Sequence, residues 1–454
     1  MALIVSLPKP LSVSPLKVSA PLGGALAFMG IEGCLPMFHG AQGCTAFALV
    51  ALVRHFREAI PLQTTAMNEI TTILGGADNV EEALLTVARR AQPKVIGLLS
   101  TALTETRGED MEGDLKAIRA RQPELDGVAV VPVATPDYIG GLETGWSKAV
   151  EAMIRCLPID AKDPAGRPQV NILPGVNMTP GDAEALKDIV EDFGLEPILL
   201  PDLAASLDGH LPGRWVATTL GGTRLDQVAR LGQSRLTIAF GEHMRSAGEA
   251  LRRRFGVPLL VIDRFSGLEA ADRLMVGLAH AAECPVPERY RRQRSQLIDA
   301  MLDGQFSFAG RRVAVAGEPD LLWTMGRLVA EMGAEVVAAV TTGPAPFLAG
   351  FPADRVVVGD LDDFEEQIAE SGACDLAIAN SNAAQLADRQ GIRLFRAGFP
   401  VFDRLGVAQR SSVGYRGTRD LIFSLAGMLA EAAGSHSAPE SHHDRAQAAA
   451  GTAA

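Results

Sequence analysis

The chain has 454 residues, 47% of them hydrophobic and 21% charged, and its 42 basic against 54 acidic side chains leave a formal net charge of -12. A chain of that length buries large cores in two to four domains, at about 100–200 residues each, and the negative balance excludes nucleic acid as the main ligand. No apolar run approaches the ~18 residues of a membrane span, and the opening Met1-Ala2-Leu3-Ile4-Val5-Ser6-Leu7-Pro8 lacks the basic flank and apolar length of a secretory signal, so the expectation is a cytoplasmic protein with no membrane contact.

In chain order, the first local signal is His39-Gly40-Ala41-Gln42-Gly43-Cys44, a glycine-framed turn that runs straight into the apolar stretch 45–53 and predicts a helix start at the cysteine. Strands are predicted at 95–101, 128–133, 170–173, 197–200, 215–219, 236–240, 259–262, 313–316, 336–340, 356–358, 376–379 and 392–395. Such near-continuous Val, Ile and Leu runs, separated by helical patterns, mark parallel sheets covered by helices on both faces, an α/β fold. Several predicted strands end in Pro201-Asp202, Asp263, Gly317-Glu318-Pro319 or Asn380-Ser381-Asn382, and ligands in open α/β sheets gather at such carboxyl ends. Two seams interrupt the pattern: 157–169, rich in Pro, Gly and Asp, and a helical connector at 287–302, with Arg289, Arg291, Arg292 and Arg294 ahead of the apolar face Leu297, Ile298 and Met301. They divide the chain into 1–165, 166–305 and 306–434. The remainder, 435–454, is a Ser, His, Ala and Gly tail without periodicity that reads as disordered. Its His442-His443 pair has no scaffold to fix ligand geometry.

Most motifs with catalytic associations are missing. The run Val313-Ala314-Val315-Ala316-Gly317 enters the acidic turn Glu318-Pro319-Asp320 and lacks G-x-G-x-x-G, so it would repel a pyrophosphate. There is no Walker lysine loop and no G-x-S-x-G elbow. Glu32, Glu69, Glu105, Glu109 and Asp110 read as caps or solvated carboxylates, and Arg252-Arg253-Arg254 and the Arg289 to Arg294 cluster as solvated helix faces. The five cysteines, Cys34, Cys44, Cys156, Cys284 and Cys374, are odd in number and scattered, which argues against a disulfide framework. Cys44 stands out because the free N–H groups and dipole of a helix start favour a thiolate, the form that binds iron or zinc. With no C-x-x-C and no second cysteine close in sequence, one chain does not complete a four-ligand site. Cys44 is therefore either a small buried hydrophobe or one ligand of a cluster completed by a second chain. The Met- and Phe-rich flanks 26–29 and 34–38 read as a buried subunit contact.

A wider set of motifs carries a family resemblance: Pro21-Leu22-Gly23-Gly24, Gly30-Ile31-Glu32-Gly33, the Cys44 turn, Thr64-Thr65-Ala66-Met67-Asn68-Glu69, Ile73-Leu74-Gly75-Gly76, Ser100-Thr101-Ala102-Leu103-Thr104-Glu105-Thr106, Gly108-Glu109-Asp110, Gly140-Gly141-Leu142-Glu143-Thr144-Gly145-Trp146 and Gly414-Tyr415-Arg416-Gly417. Over nearly the whole ordered chain the sequence resembles the nitrogenase component 1 superfamily, and within it the β-type subunits of the scaffold on which the nitrogenase iron–molybdenum cofactor is assembled. The resemblance implies three Rossmann-like α/β domains. In the catalytic β subunit of nitrogenase, cysteines in three places hold the P-cluster, and here those places carry Ser19, Cys44 and Ala102. Alanine offers no ligand, so half of an eight-iron cluster is not expected. The resemblance instead implies that Cys44 is the metal and cofactor ligand, supplying one thiolate to a [4Fe-4S] cluster shared with the partner NifE in an α2β2 heterotetramer. It further implies a precursor delivered by NifB, molybdenum and homocitrate added with the help of the nitrogenase iron protein NifH, and a maturing cofactor bound transiently and mainly on NifE. No catalytic residue is assigned. Cys34, Cys156, Cys284 and Cys374 are expected to pack, and His39 to serve the turn as a hydrogen-bonded histidine. The alternatives are the β subunit of a nitrogenase-like reductase, including the dark protochlorophyllide and chlorophyllide reductases, and a metal-free interaction module.

Overall fold

The structure, a computed structural model, describes residues 1–6, 9, 14–160, 166–211, 213 and 215–436. The chain starts with β1 (Leu3–Ser6), α1 (Ala20–Met29), β2 (Cys34–His39), α2 (Gln42–Phe56), β3 (Gln63–Thr64), α3 (Glu69–Leu74), α4 (Ala77–Ala91), β4 (Val95–Ser100), α5 (Ala102–Arg107), α6 (Met111–Arg121), β5 (Ala129–Val133) and α7 (Leu142–Cys156). Then follow β6 (Gln169–Leu173), α8 (Pro180–Asp192), β7 (Glu196–Leu199), α9 (Leu225–Ala229), β8 (Leu236–Phe240), α10 (Arg245–Phe255), β9 (Leu259–Ile262) and α11 (Leu268–Ala282). Helix α12 (Glu288–Phe308) leads into β10 (Arg312–Gly317), α13 (Pro319–Glu331), β11 (Glu335–Thr341), β12 (Arg355–Val358), α14 (Leu361–Ser371), β13 (Leu376–Ala379), α15 (Ala384–Gln390), β14 (Arg393–Arg396) and α16 (Gly414–His436).

Three sheets result, with strand orders β3-β2-β4-β5, β7-β6-β8-β9 and β1-β12-β11-β10-β13-β14. Every pairing is parallel, and helices cover the faces, which is the α/β architecture expected from the apolar strand runs. The first strand is a departure from sequence order: β1 pairs with β12, so the chain's opening residues sit on the edge of the third sheet. Among the described residues no helix is long and apolar enough to cross a membrane. Helix α16 extends two residues into the expected tail, and 437–454 lie outside the described residues, as do 161–165 of the first seam.

Two expectations are overturned here. Residues 215–219 form no strand; Trp215 is 79% exposed, and Thr219 instead docks on the start of β2, its N–H donating to Cys34 O at 2.9 Å and its hydroxyl oxygen accepting from Cys34 N at 2.8 Å. The stretch 34–38 is not a subunit contact but most of β2, fully buried within its own sheet, and Leu26, Phe28 and Met29 lie in the same core. The Met and Phe content signals burial on both faces of a parallel strand, with Pro36 obscuring the strand pattern.

Helices α1 and α7 explain two of the glycine motifs. A Cβ on Gly23 would lie 2.0 Å from Leu142 O, and one on Gly145 would lie 1.8 Å from Ala20 O. The two backbones touch, and a side chain at either place would separate them. Beside this contact Trp146 is buried and its indole N–H donates to Pro174 O at 3.0 Å, tying the first sheet's helix to the loop after β6. Trimming such an indole costs about 3–5 kcal/mol.

Candidate metal-cluster site at the ends of β2, β4 and β5

The register of β2 against β4 runs from Cys34 opposite Val95 to His39 opposite Ser100. That alignment places the turn after β2 beside the turn after β4, at the carboxyl ends where ligands collect in parallel sheets. Gly40 is required for the approach: a Cβ there would stand 2.3 Å from Thr101 Oγ1. In its absence Thr101 Oγ1 donates to His39 O at 2.9 Å and locks the two turns together.

His39 is the structural histidine of this turn. Its Nε2 lies 2.7 Å from Glu109 Oε2 and its Nδ1 3.0 Å from Thr65 Oγ1. A carboxylate only accepts, so the network assigns the proton to Nε2 and leaves Nδ1 accepting from the Thr65 hydroxyl. Thr65 Oγ1 in turn accepts from Gly40 N at 3.2 Å, and Glu109 Oε1 from Gly76 N at 3.1 Å. Burial holds the His39 imidazole below its usual pKa, with Glu109 opposing the shift. Asp110, as expected, caps a helix, accepting from Gly113 N at 3.0 Å, and Glu109 is a brace.

Cys44 is the third residue of α2, whose first turn has no side-chain cap. It is exposed at the lip of a cleft of about 440 Å³ whose wall includes Ser19, Phe47, Thr101 and Asp137. The structure thus brings together Ser19, the uncapped start of α1, Cys44, and the residue immediately before Ala102. Among the described residues no second thiol lines this cleft. Cys34 is sealed at the opposite end of β2, and burial raises its thiol far above the usual range. Cys284 and Cys374 are half-buried, the latter pushed up to about 11 by burial. Cys156, expected to pack, is exposed at the end of α7.

The electrostatics of Cys44 differ from the expectation of a thiolate favoured by the helix start. Burial, then the charge of Asp137, raise the thiol, and the helix N–H groups only partly offset this. Asp137 was not singled out in the sequence, although its place just after β5 is the kind of strand end where ligands gather. Its Oδ1 is buried without a hydrogen-bond partner, and burial raises its own pKa. A carboxylate oxygen with no partner beside a protonated thiol makes a pocket that gains from a cation: an iron or zinc ion would replace the thiol proton and neutralise Asp137.

Apolar surface is exposed on the elements that form this site, with Phe47 on the cleft wall itself. Phe47, Val50 and Val53 form a stripe on α2 and are 82%, 56% and 44% exposed. Ile70, Ile73 and Leu74 on α3, and Tyr138 and Ile139 beside Asp137, are also exposed. The signal for this face was the run 45–53, apolar on all sides rather than on one. The basic clusters are ordinary surface: Arg252 pairs with Glu249, Arg289 with Asp192 and Arg294 with Asp272.

Residues 19–430 match the family model described as Nitrogenase component 1 type Oxidoreductase. The chain belongs to the nitrogenase component 1 family. It is 47% identical over 435 residues to the nitrogenase iron-molybdenum cofactor biosynthesis protein NifN of Bradyrhizobium diazoefficiens, covering 94% of this chain and 92% of that protein. The NifN of Nostoc sp. is 48% identical, with 94% and 96% covered, and that of Klebsiella pneumoniae 42% identical, with 95% and 94% covered. Among solved structures, "Nitrogenase Cp1 at pH 6.5" superimposes with a TM-score of 0.87 at 28% identity over 96% of this chain and 97% of that one. Family membership and the parallel-sheet fold expected from the motifs are therefore both borne out.

Proposed function

We propose that this chain is the β-type subunit of the scaffold on which the nitrogenase iron–molybdenum cofactor is assembled, and that Cys44 supplies one thiolate to a [4Fe-4S] cluster shared with an α-type partner, NifE, in an α2β2 heterotetramer. The observation that carries this reading is a single thiol at the open lip of a cleft, flanked by the exposed apolar stripe Phe47, Val50 and Val53. Similarity to NifN proteins over nearly the whole chain supports the same role.

The residues fit a shared cluster and do not fit half of an eight-iron one. Cys44 offers sulfur, Ser19 only a hydroxyl and Ala102 nothing, so the remaining ligands come from across the interface. When bound, an iron–sulfur cluster supplies a one-electron redox centre. Cys44 anchors it to a helix start, Asp137 contributes negative charge beside it, and the His39 network holds the turn in place. Phe47 and its neighbours exclude water by packing against the partner. The maturing cofactor, received as a precursor from NifB and completed with NifH, sits transiently and mainly on NifE, so this chain carries no general acid, base or nucleophile.

The test is anaerobic co-purification with the partner, followed by iron analysis and electron paramagnetic resonance of wild type and Cys44→Ala. Loss of the shared-cluster iron and signal with an unchanged circular dichroism spectrum is the expected result. Iron content and spectrum equal to wild type would remove the ligand assignment, and substrate reduction by the complex with NifH would favour a reductase subunit instead.

A further inference from the structure

A second group of ligand-type side chains lies away from Cys44, where the three sheets meet. Glu143 is the second residue of α7, His243 follows β8, and Asp320 is the second residue of α13. The three come from the strand ends of three different sheets, and one ligand atom from each lies within 4.8 Å of the others. Glu143 is 5% and Asp320 3% exposed. Both acids belong to motifs that the proposed function leaves unused, Glu143 to the Gly140–Trp146 segment and Asp320 to the acidic turn after β10.

The hydrogen bonds already orient these groups toward one point. Glu143 Oε1 accepts from Asn177 Nδ2 at 2.7 Å and from Asp320 N at 3.0 Å. The carboxylate of Asp320 accepts from Glu242 N and His243 N, each at 3.2 Å, and also meets His243 Nδ1. His243 Nε2 faces Val176 N at 3.4 Å, which leaves it an acceptor. A third carboxylate adjoins the group: Glu318 is 7% exposed, and its charge acts on both Glu143 and His243. Its Oε1 is buried with no hydrogen-bond partner, and Asn177 Oδ1 is in the same condition. Both residues line one cavity of about 10 Å³, the scale of a single water or ion.

Three buried carboxylates at one point repel each other and lose hydration. Among the described residues His243 is the one basic side chain in an ion pair with any of them. A divalent cation would satisfy what a single imidazole does not.

We propose that Glu143, His243 and Asp320 form a binding site for a divalent first-row cation of the Zn²⁺, Fe²⁺ or Mn²⁺ class, beside the small cavity lined by Glu318 and Asn177. One imidazole and carboxylates are the donors such ions accept, and the set contains no sulfur. Donors at about 2.0–2.2 Å from a tetrahedral ion lie roughly 3.3–3.6 Å from one another, so side-chain rotations of about an ångström, drawing Glu143 in and parting His243 from Asp320, form the site. The bound ion would rivet the three α/β units together and play no part in the shared cluster. The proposal stands independently of Cys44.

The test uses the full chain, purified with its partner, in a His442→Ala, His443→Ala background that leaves Cys44 and the shared cluster in place, so that no cluster thiol is freed to compete. After chelator treatment, equilibrium dialysis against Zn²⁺ is expected to find one tight equivalent per chain, with affinity falling at least tenfold in His243→Gln and in Glu143→Gln. Zn²⁺ is also expected to raise the thermal midpoint of the parent saturably. Equal Zn²⁺ binding in parent and variants overturns the site and leaves a hydrogen-bonded clasp only. Should the variants fail to fold, Co²⁺ added to the parent decides: a difference spectrum with ligand-field bands and no new sulfur charge transfer supports the site, and the absence of such bands overturns it.

Discussion

Cys44 and the Glu143–His243–Asp320 group both occupy carboxyl ends of parallel strands, yet they are built in opposite ways. Cys44 stands exposed on a cleft of about 440 Å³, beside apolar side chains that nothing among the described residues covers. The second group lies where three sheets converge, its two acids buried and its histidine half-buried, and its donors are oxygen and nitrogen. A soft donor left open and incomplete suits a ligand shared between chains, whereas oxygen and nitrogen donors gathered largely inside the fold suit an ion that belongs to one chain. Strand topology locates such sites; burial and donor type decide who completes them.

The most drastic way to break this contrast is at the open site. Cys44→Ala should abolish the shared-cluster iron while shifting stability by no more than about 0.5 kcal/mol, as expected for an exposed residue; iron analysis beside a urea melt reads both. At the closed end of the comparison, Trp146→Ala removes the indole that ties α7 to the loop after β6. It should cost about 3–5 kcal/mol in chemical denaturation and loosen the junction that holds Glu143.

Acid should separate the two regions as well. His55, at the far end of α2, accepts from Val401 N at 2.8 Å, and burial lowers its pKa to about 4. The folded state therefore binds fewer protons than the unfolded one below the ordinary value of 6.5. The stabilisation is fully present above pH 6.5 and is lost as pH falls toward 4, by ~3 kcal/mol at about 1.36 kcal/mol per unit. A pH series of unfolding free energies, with His55→Gln flattening the acid limb, checks the sign. The smallest effect on the isolated chain is expected from Phe47→Ser, within about 0.5 kcal/mol of wild-type stability. The same change should weaken association with the partner about tenfold or more, since exposed aromatics at interface centres carry much of the binding energy. Sedimentation or calorimetry would show it, and undiminished association would place the interface elsewhere.

Much of this was legible in the linear chain because parallel strands buried on both faces are apolar without interruption, as in Val95–Ser100 and Leu376–Ala379. β2 was not, since Pro36, Cys34 and His39 break the pattern and only pairing with β4 makes those residues strand. The run at 215–219 looked apolar enough, but Thr219 found its partners on Cys34 rather than in a ladder. Cys44 could be picked out from its own neighbours, because a glycine-framed turn ahead of an apolar helix is a local property. Its protonation could not: burial against the cleft wall, and then the charge of Asp137 from another strand end, outweigh the effect of the helix start.

What the residue order settled by itself was therefore the α/β class and the family, and it also offered Cys44 as the candidate ligand, all of which follow from short-range spacing and residue type. Tertiary structure alone decided which apolar surface stays uncovered, which charge faces the thiol, and that Glu143, His243 and Asp320 share one point. Those outcomes depend on distances between segments far apart in the chain, and electrostatics and burial are functions of such distances rather than of sequence position.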